Sequence, residues 1–149
     1  MNRFRFRFQS VLRFRQAIED EKKRNLAGAL DHYTHEQEKL NLIDTSIDTH
    51  DTVRVSSAEG AVSAKDLLNK FIYARHLERV RDGQEKHLQK AGKEVAVRRT
   101  DLVEAAKQKK ILERLRERDQ EAHQDEIEHE ERAISDEIAT QRYHRDKDA

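Results

Sequence analysis

Apolar residues recur every three or four positions along almost the whole chain, and this spacing constrains the fold more than any other feature of the sequence. It places the apolar side chains on one face of an α-helix, as in a coiled coil. No proline interrupts the 149 residues, so we predict long helices. The first series is Phe4, Phe8, Val11, Ile18, Leu26, Leu30, Tyr33, Leu40, Ile43 and Ile47. The second is Leu68, Phe71, Tyr73, Leu77, Val80, Leu88, Ala91, Val95, Leu102, Ala105, Leu112, Leu115, Ala122, Ile127, Ile134 and Ile138.

One break separates the two series, in the sequence DTHDTVRVSSAEG at residues 48–60. Its Thr, Val, Asp and Ser residues favour non-helical backbone, and Gly60 suits a turn. The next helix then begins with a capping box, formed either by Ser56 with Glu59 or by Ser63 with Asp66. We therefore predict one all-α domain over residues 1–149, with helix one at about 4–51, a turn at about 52–60 and helix two at about 61–144.

A short break between two apolar series predicts an antiparallel coiled-coil hairpin of two long helices. With the turn centred near Ser56, Tyr33 should face Val80, and Gly28 should lie opposite Gly83. Phe4 should then lie opposite Lys109. The second helix is longer and should extend beyond the first by roughly 35 residues, or about 50 Å at 1.5 Å per residue.

The N-terminal sequence FRFRF at residues 4–8 has several interpretations. Alternating Phe and Arg has the period of a half-buried strand. Arginines without an acid before Glu19 also suit a targeting presequence, a membrane-surface helix or a nucleic-acid arm. Because Phe4, Phe8 and Val11 continue the apolar face of helix one, we predict the first turns of that helix instead. A peripheral membrane contact stays open.

The composition argues against a wide hydrophobic core. Charged residues make up 40% of the chain, against about 25% in typical domains. Thirty basic and thirty acidic residues cancel, so no net charge attracts nucleic acid. The chain has no cysteine, which suits a reducing cytoplasm, and no apolar run long enough to span a membrane. We expect a cytoplasmic coiled coil without a transmembrane segment.

No arrangement of residues predicts catalysis, so we expect no enzymatic activity, no catalytic residues and no cofactor. His32, His35 and Glu36 can share a helical face. Glu126 and His129 have the Glu-x-x-His spacing of di-iron bundles, but such a site needs a second copy of the motif and two more carboxylate helices. We therefore predict no functional metal site.

Two segments resemble the FliJ family of flagellar export proteins. The first is FRFQSVLRFRQAIEDEKKRNLAGAL (residues 6–30), where the matching residues are Phe6, Phe8, Leu12, Arg15, Glu19, Leu26 and Ala27. The second is residues 98–145, which carry LERLRER and DEIATQRY. Here the matching residues are Arg99, Leu102, Ala105, Leu112, Glu113, Leu115, Arg118, Asp136, Glu137, Ile138, Ala139, Arg142 and Tyr143. His123 stands where the family pattern has an aromatic residue.

The resemblance implies a cytoplasmic, non-enzymatic component of the flagellar type III protein export apparatus, which serves bacterial motility. Such proteins resemble the stalk of rotary ATPases. They bind the hexameric export ATPase, contact the cytoplasmic domain of the export gate and handle export chaperones, in peripheral association with the inner membrane at the flagellar base. The alternatives are the equivalent stalk of a virulence type III secretion system and a structural coiled coil that dimerises.

Two binding surfaces are expected on this basis. The ATPase-binding surface should comprise Phe4, Phe8, Arg15, Leu112, Leu115, Arg118, Ile127, Ile134, Asp136, Glu137, Ile138, Arg142 and Tyr143. The chaperone-binding surface, near the turn, should comprise Glu36, Leu40, Ile43, Ile47, Tyr73, Leu77, Val80 and Gln84.

Overall fold

The computed structural model contains two α-helices, α1 (Gln9–Ser57) and α2 (Ala64–Lys147), and describes residues 3–57, 60 and 63–147. No strand occurs in this part of the chain. Successive residues of α1 contact residues of α2 that come progressively earlier in the sequence, so the helices are antiparallel. The all-α helical hairpin with a longer second helix is confirmed.

The hairpin divides into two compact units. Unit 1 contains Met1–Glu19 and Glu104–Ala149, and unit 2 contains Asp20–Val103. Each unit combines part of α1 with part of α2 and is described separately.

In unit 2, buried and half-buried residues follow a regular three-four spacing on both helices. We call these positions the seam, because the two helices pack along them. On α1 the seam contains Lys22, Leu26, Ala29, Tyr33, Glu36, Leu40, Ile43, Ile47 and His50. Tyr33 is the most exposed of these α1 residues, at 36%. On α2 it contains Ala74, Leu77, Arg81, Gln84, Leu88, Ala91, Val95, Arg98 and Leu102. Charged and polar residues thus occupy seam positions that an apolar pattern does not reveal.

The register of unit 2 differs from the predicted one by about three helical turns. Tyr33 does not face Val80; its ring lies 3.5 Å from the position that a Cβ atom would take on Gly92. The ring of Tyr73, expected opposite Leu40, lies 5.2 Å from the ring of His50 between centroids. Gly28 and Gly83 do not form a close approach, since a Cβ atom on either would meet no other group within 4 Å.

The longer course of α1 explains this difference in register. We expected the helix to end at about residue 51, but it continues to Ser57. The hydroxyl groups of Thr45, Ser46, Thr49 and Thr52 each donate a hydrogen bond of 2.8–2.9 Å to the carbonyl oxygen four residues earlier. The helix itself therefore satisfies these polar side chains. Because the connection falls later in the chain than Ser56, each residue of α1 faces a later residue of α2.

Ser63, one of the two predicted capping residues, lies at the start of α2. The Oγ atom of Ser63 accepts a hydrogen bond of 3.3 Å from the backbone N–H of Lys65, in the first turn of the helix. Asp66 adds a negative charge to that turn, which the helix dipole favours. The alternative box of Ser56 with Glu59 depends on Glu59, which lies outside the described residues.

In unit 1, the prediction that helix one begins at Phe4 was wrong. Residues 3–6 have no regular structure, residues 7–8 form a turn, and α1 begins at Gln9, whose N–H donates a 3.3 Å hydrogen bond to the carbonyl of Phe6. Phe6 is buried and Phe4 half-buried, whereas Arg3, Arg5 and Arg7 are exposed. Burial thus alternates with the Phe/Arg sequence before the helix starts. Phe8 and Val11, predicted for the apolar face of helix one, are 37% and 41% exposed, whereas Leu12 is buried.

The paired part of unit 1 extends further along α2 than predicted. The ring of Phe4 lies 5.7 Å from the ring of His123 between centroids, and Glu19 forms an ion pair with Lys109. Leu112 and Leu115 are half-buried between these contacts, so the pairing of the helices does not end opposite Lys109 as we expected. All residues at 128–145 are exposed. We call residues 124–147 the overhang; at 1.5 Å per residue it is roughly 36 Å long.

Candidate binding surfaces

Glu36 connects the two helices of unit 2. It is buried in the seam, where Gln84 Nε2 donates to its Oε2 at 2.6 Å and to its backbone oxygen at 3.0 Å. Lys39 Nζ donates to Oε1 at 2.8 Å. The hydrogen bonds from Lys39 and then Gln84 lower the pKa of Glu36 from 4.5 to about 2. Because this contact joins the two helices at one pair of positions, it helps to specify their register.

Two ion pairs support the same register in unit 2. Arg81 Nε donates to Asp44 Oδ1 at 2.8 Å, and this hydrogen bond raises the pKa of Arg81. Lys22 Nζ lies 3.9 Å from Asp101 Oδ2. Both pairs are partly exposed, so their contribution to stability is small, but each opposes a shift of one helix along the other.

Unit 1 has its own buried ion pair. Lys109 Nζ lies 2.7 Å from Glu19 Oε2 and 3.5 Å from Glu113 Oε1, and the side chain of Glu19 is only 9% exposed. The hydrogen bond to Glu19 raises the pKa of Lys109, so this lysine stays charged. A buried carboxylate needs such a partner, because an uncompensated buried charge is strongly destabilising.

The residues predicted to bind chaperones all lie in unit 2, and most of them belong to the seam. Glu36 and Leu40 are buried, and Ile43, Ile47, Leu77 and Gln84 are half-buried. Tyr73 and Val80 are 49% and 39% exposed. The first group therefore holds the hairpin together, and only the second offers large accessible side chains.

Sequence reasoning missed an exposed apolar face near the turn. Leu67, Leu68, Phe71 and Ile72 lie on the first turns of α2, and each is more than half exposed. The guanidinium of Arg75 lies 5.9 Å from the centre of the Phe71 ring. We had assigned Leu68 and Phe71 to the seam. The adjacent pairs Leu67–Leu68 and Phe71–Ile72 were the available signal, because a narrow seam cannot accept both members of such a pair.

The residues predicted to bind the ATPase all lie in unit 1. Five of them are half-buried: Phe4, Arg15, Leu112, Leu115 and Ile127. The others are exposed: Phe8, Arg118, Ile134, Asp136, Glu137, Ile138, Arg142 and Tyr143. Ile134 and Ile138 are 57% and 47% exposed and lie one turn apart on the overhang, where they form an accessible apolar surface.

The described residues contain no group of three or more His, Asp or Glu side chains placed to hold a metal ion, so His32, His35 and Glu36 form no such site there. Within the same residues, neither helix is apolar enough to cross a membrane.

Comparison with known proteins identifies the family. The family model described as flagellar FliJ protein matches residues 4–148, which is nearly the whole chain. No curated protein and no solved structure matches the chain significantly. The match includes both segments that carry the sequence resemblance, and the two-helix hairpin agrees with it. The chain belongs to the flagellar FliJ protein family.

Proposed function

We propose that this protein is a non-enzymatic, stalk-like component of the flagellar protein export apparatus, and that its overhang binds the hexameric export ATPase. Membership of the FliJ family implies the role in flagellar export. The observation that carries the ATPase contact is the exposed apolar surface of Ile134 and Ile138 on a helix that extends beyond its partner helix. Exposed apolar surface of this kind commonly marks a binding site.

The physical properties of unit 1 suit insertion into a ring. A helix gains most of its stability from packing, so the overhang should be stabilised by a partner that covers it. Its flanks are acidic, and an electropositive ring interior would attract such a helix and orient it. Asp125, Glu128 and Glu130 lie within the overhang, and Glu113, Glu117, Asp119 and Glu121 precede it on α2. Phe4, Phe8 and Arg15 would add contacts from the N-terminal part of the same unit.

The turn-proximal part of unit 2 is our proposed chaperone-binding surface. The exposed edges of Tyr73 and Val80 supply accessible apolar area, and Leu67, Leu68, Phe71 and Ile72 enlarge it. An amphipathic helix of a chaperone would bury its apolar face on such a surface. Glu36, Leu40 and Gln84 would support this surface by holding the two helices in register. We further propose contact with the export gate and peripheral association at the cytoplasmic face of the membrane.

Stimulation of the export ATPase tests the main proposal. ATP hydrolysis by the purified ATPase is measured with increasing amounts of the intact protein and of the variant Ile134→Glu. A charge in the middle of the apolar surface should raise the concentration required for half-maximal stimulation at least about tenfold, which corresponds to about 1.4 kcal/mol.

The variant Ala133→Glu is the matched control. Ala133 is exposed and points away from the Ile134–Ile138 surface, so the same charge there should leave stimulation unchanged. Truncation after Lys110 is a less specific test, because it also removes the partners of the N-terminal segment, including His123. Undiminished stimulation by Ile134→Glu would overturn the proposed site.

A further inference from the structure

We propose that the overhang pairs in antiparallel orientation with the overhang of a second copy of this chain. The pairing would form a short two-helix coiled coil between molecules. This inference goes beyond the export function and does not depend on it.

Apolar spacing supplies the first argument. Ile127, Ile134 and Ile138 are seven and four residues apart, which places them on one side of α2. This is the three-four spacing by which α1 and α2 pack in unit 2. An antiparallel pairing that sets Ile134 opposite Ile138 of the second copy places both isoleucines of each chain at the centre of the contact. They are 57% and 47% exposed in the single chain, so this burial would be new.

Charge distribution identifies the partner and its direction. Residues 125–137 contain the carboxylates of Asp125, Glu126, Glu128, Glu130, Glu131, Asp136 and Glu137. Residues 138–145 contain Arg142 and Arg145 and no acid. A parallel pair would set acids against acids, whereas an antiparallel pair sets the acidic part of each helix against the basic part of the other. Flanking charges of this kind determine partner choice and orientation in coiled coils.

The register with Ile134 opposite Ile138 also aligns individual charges. Glu128 then lies across from Arg142 of the second copy, and the two-fold symmetry of the pair repeats this contact. Glu130 lies across from His144 in the same way, and Glu137 lies across from Glu137 of the second copy, a like-charge pair that weakens the contact. Glu131, Gln141 and Arg145 fill the remaining positions of the contact line. These polar residues favour a weak and reversible dimer.

The pairing has a direct consequence for accessibility. Ile134 and Ile138 would be covered in the dimer, so any other partner of this surface would have to displace the second copy. Dimerisation would then protect the exposed apolar surface in the absence of a partner.

Sedimentation equilibrium of the intact protein over about a hundredfold range of concentration is the first test. We expect a monomer–dimer equilibrium, and Ile134→Glu should raise the dimer dissociation constant at least about tenfold. Ala133→Glu is the control, because it adds the same charge at an exposed position that points away from the contact line, and its dimer should be as stable as that of the intact protein. A monomer at all concentrations, or a dimer that Ile134→Glu leaves intact, would overturn the proposal.

A charge exchange tests the orientation. Glu128→Arg and Arg142→Glu should each weaken the dimer, because each sets like charges against one another. The double variant Glu128→Arg with Arg142→Glu should restore most of the lost affinity, because opposite charges face each other again. Losses that simply add in the double variant contradict the antiparallel register.

Disulfide cross-linking provides an independent check, since the chain has no cysteine of its own. Ile127→Cys and Arg145→Cys proteins are oxidised separately and as a mixture. The proposed register brings these positions of different chains together, so cross-linked dimers should form efficiently only in the mixture. Efficient cross-linking of either variant with itself would indicate a parallel pair and refute the inference.

Discussion

Among the residues that the structure describes, the two buried carboxylates, Glu19 and Glu36, each meet a side chain of the other helix. Glu36 accepts a hydrogen bond from Gln84, and Glu19 forms an ion pair with Lys109. These contacts contribute little to hydrophobic burial. They oppose any shift of one helix along the other, because a shift would leave a buried carboxylate without its partner.

Glu36 should make the stability of the protein depend on pH in the acid range. Its pKa is lowered to about 2 in the folded protein, below the ordinary value of 4.5. The ionised carboxylate therefore contributes stability that is fully present above about pH 4.5 and is lost as the pH falls towards 2. Glu36→Gln removes this contribution. We expect the stability difference between the intact protein and the variant to narrow steadily as the pH falls through this range.

Urea unfolding at a series of pH values, followed by circular dichroism, measures this difference. Glu38→Gln is the control, because the side chain of Glu38 is 68% exposed and lies near His35 rather than in the seam. The free energy of unfolding of Glu38→Gln should differ only slightly from that of the intact protein. A difference for Glu36→Gln that stays constant down to about pH 2 would show that its interactions do not favour the ionised form.

At the scale of the helices, the sequence pattern predicted two helices and their antiparallel order but not their register. Matching apolar residues placed Tyr33 opposite Val80, whereas the ring of Tyr33 lies against Gly92. The apolar pattern includes neither Glu36 nor Gln84, although they bond to each other across the seam. It also treats Thr49 and Thr52 as residues that end a helix, whereas their hydroxyl groups bond within α1. These pairings depend on three-dimensional partners that no local pattern contains.

The same reasoning applies to the candidate surfaces. Ile134 and Ile138 were identified from the sequence because their spacing continues that of α2, and both side chains are exposed in the structure. The exposed face near the turn was missed because Leu68 and Phe71 were expected to face the other helix, and because Leu67 and Ile72 do not fit the apolar spacing. The exposed face near the turn becomes evident only when the seam positions are known.

The substitution Gly28→Ala distinguishes the observed register from the register predicted by apolar matching. In the structure a Cβ atom at Gly28 has no other group within 4 Å, so Gly28→Ala should stabilise the protein by about 0.5–1 kcal/mol through helix propensity alone. The register predicted from apolar matching sets Gly28 against Gly83 at a close approach, where an added methyl group would be destabilising. Thermal unfolding of the variant measures the sign of the change.

Gly83→Ala should increase the stability of the protein by a similar amount, because the space around Gly83 is also open. Gly92→Ala is the informative comparison. Its Cβ atom would lie 3.5 Å from the Tyr33 ring, an ordinary contact distance, so this change should also be tolerated. Destabilisation by Gly28→Ala together with Gly83→Ala would contradict the observed register.

At the scale of the whole molecule, each unit carries one of the two proposed surfaces. Unit 1 contains the overhang with Ile134 and Ile138, and unit 2 contains the exposed face around Phe71. Each surface consists of exposed side chains, so a substitution on either should change binding without unfolding the hairpin. Surface substitutions away from strained or buried groups usually have small effects on stability.

The two proposed binding functions should therefore be separable by single substitutions. Phe71→Glu sets a carboxylate within the exposed face of unit 2, so we expect it to abolish chaperone capture and to leave ATPase stimulation intact. Ile134→Glu should have the opposite effect. Both assays are performed on both variants, with circular dichroism to verify that each remains helical. Loss of both activities in either helical variant would show that the two surfaces act as one, whereas the opposite pattern of losses would assign each partner to the other unit.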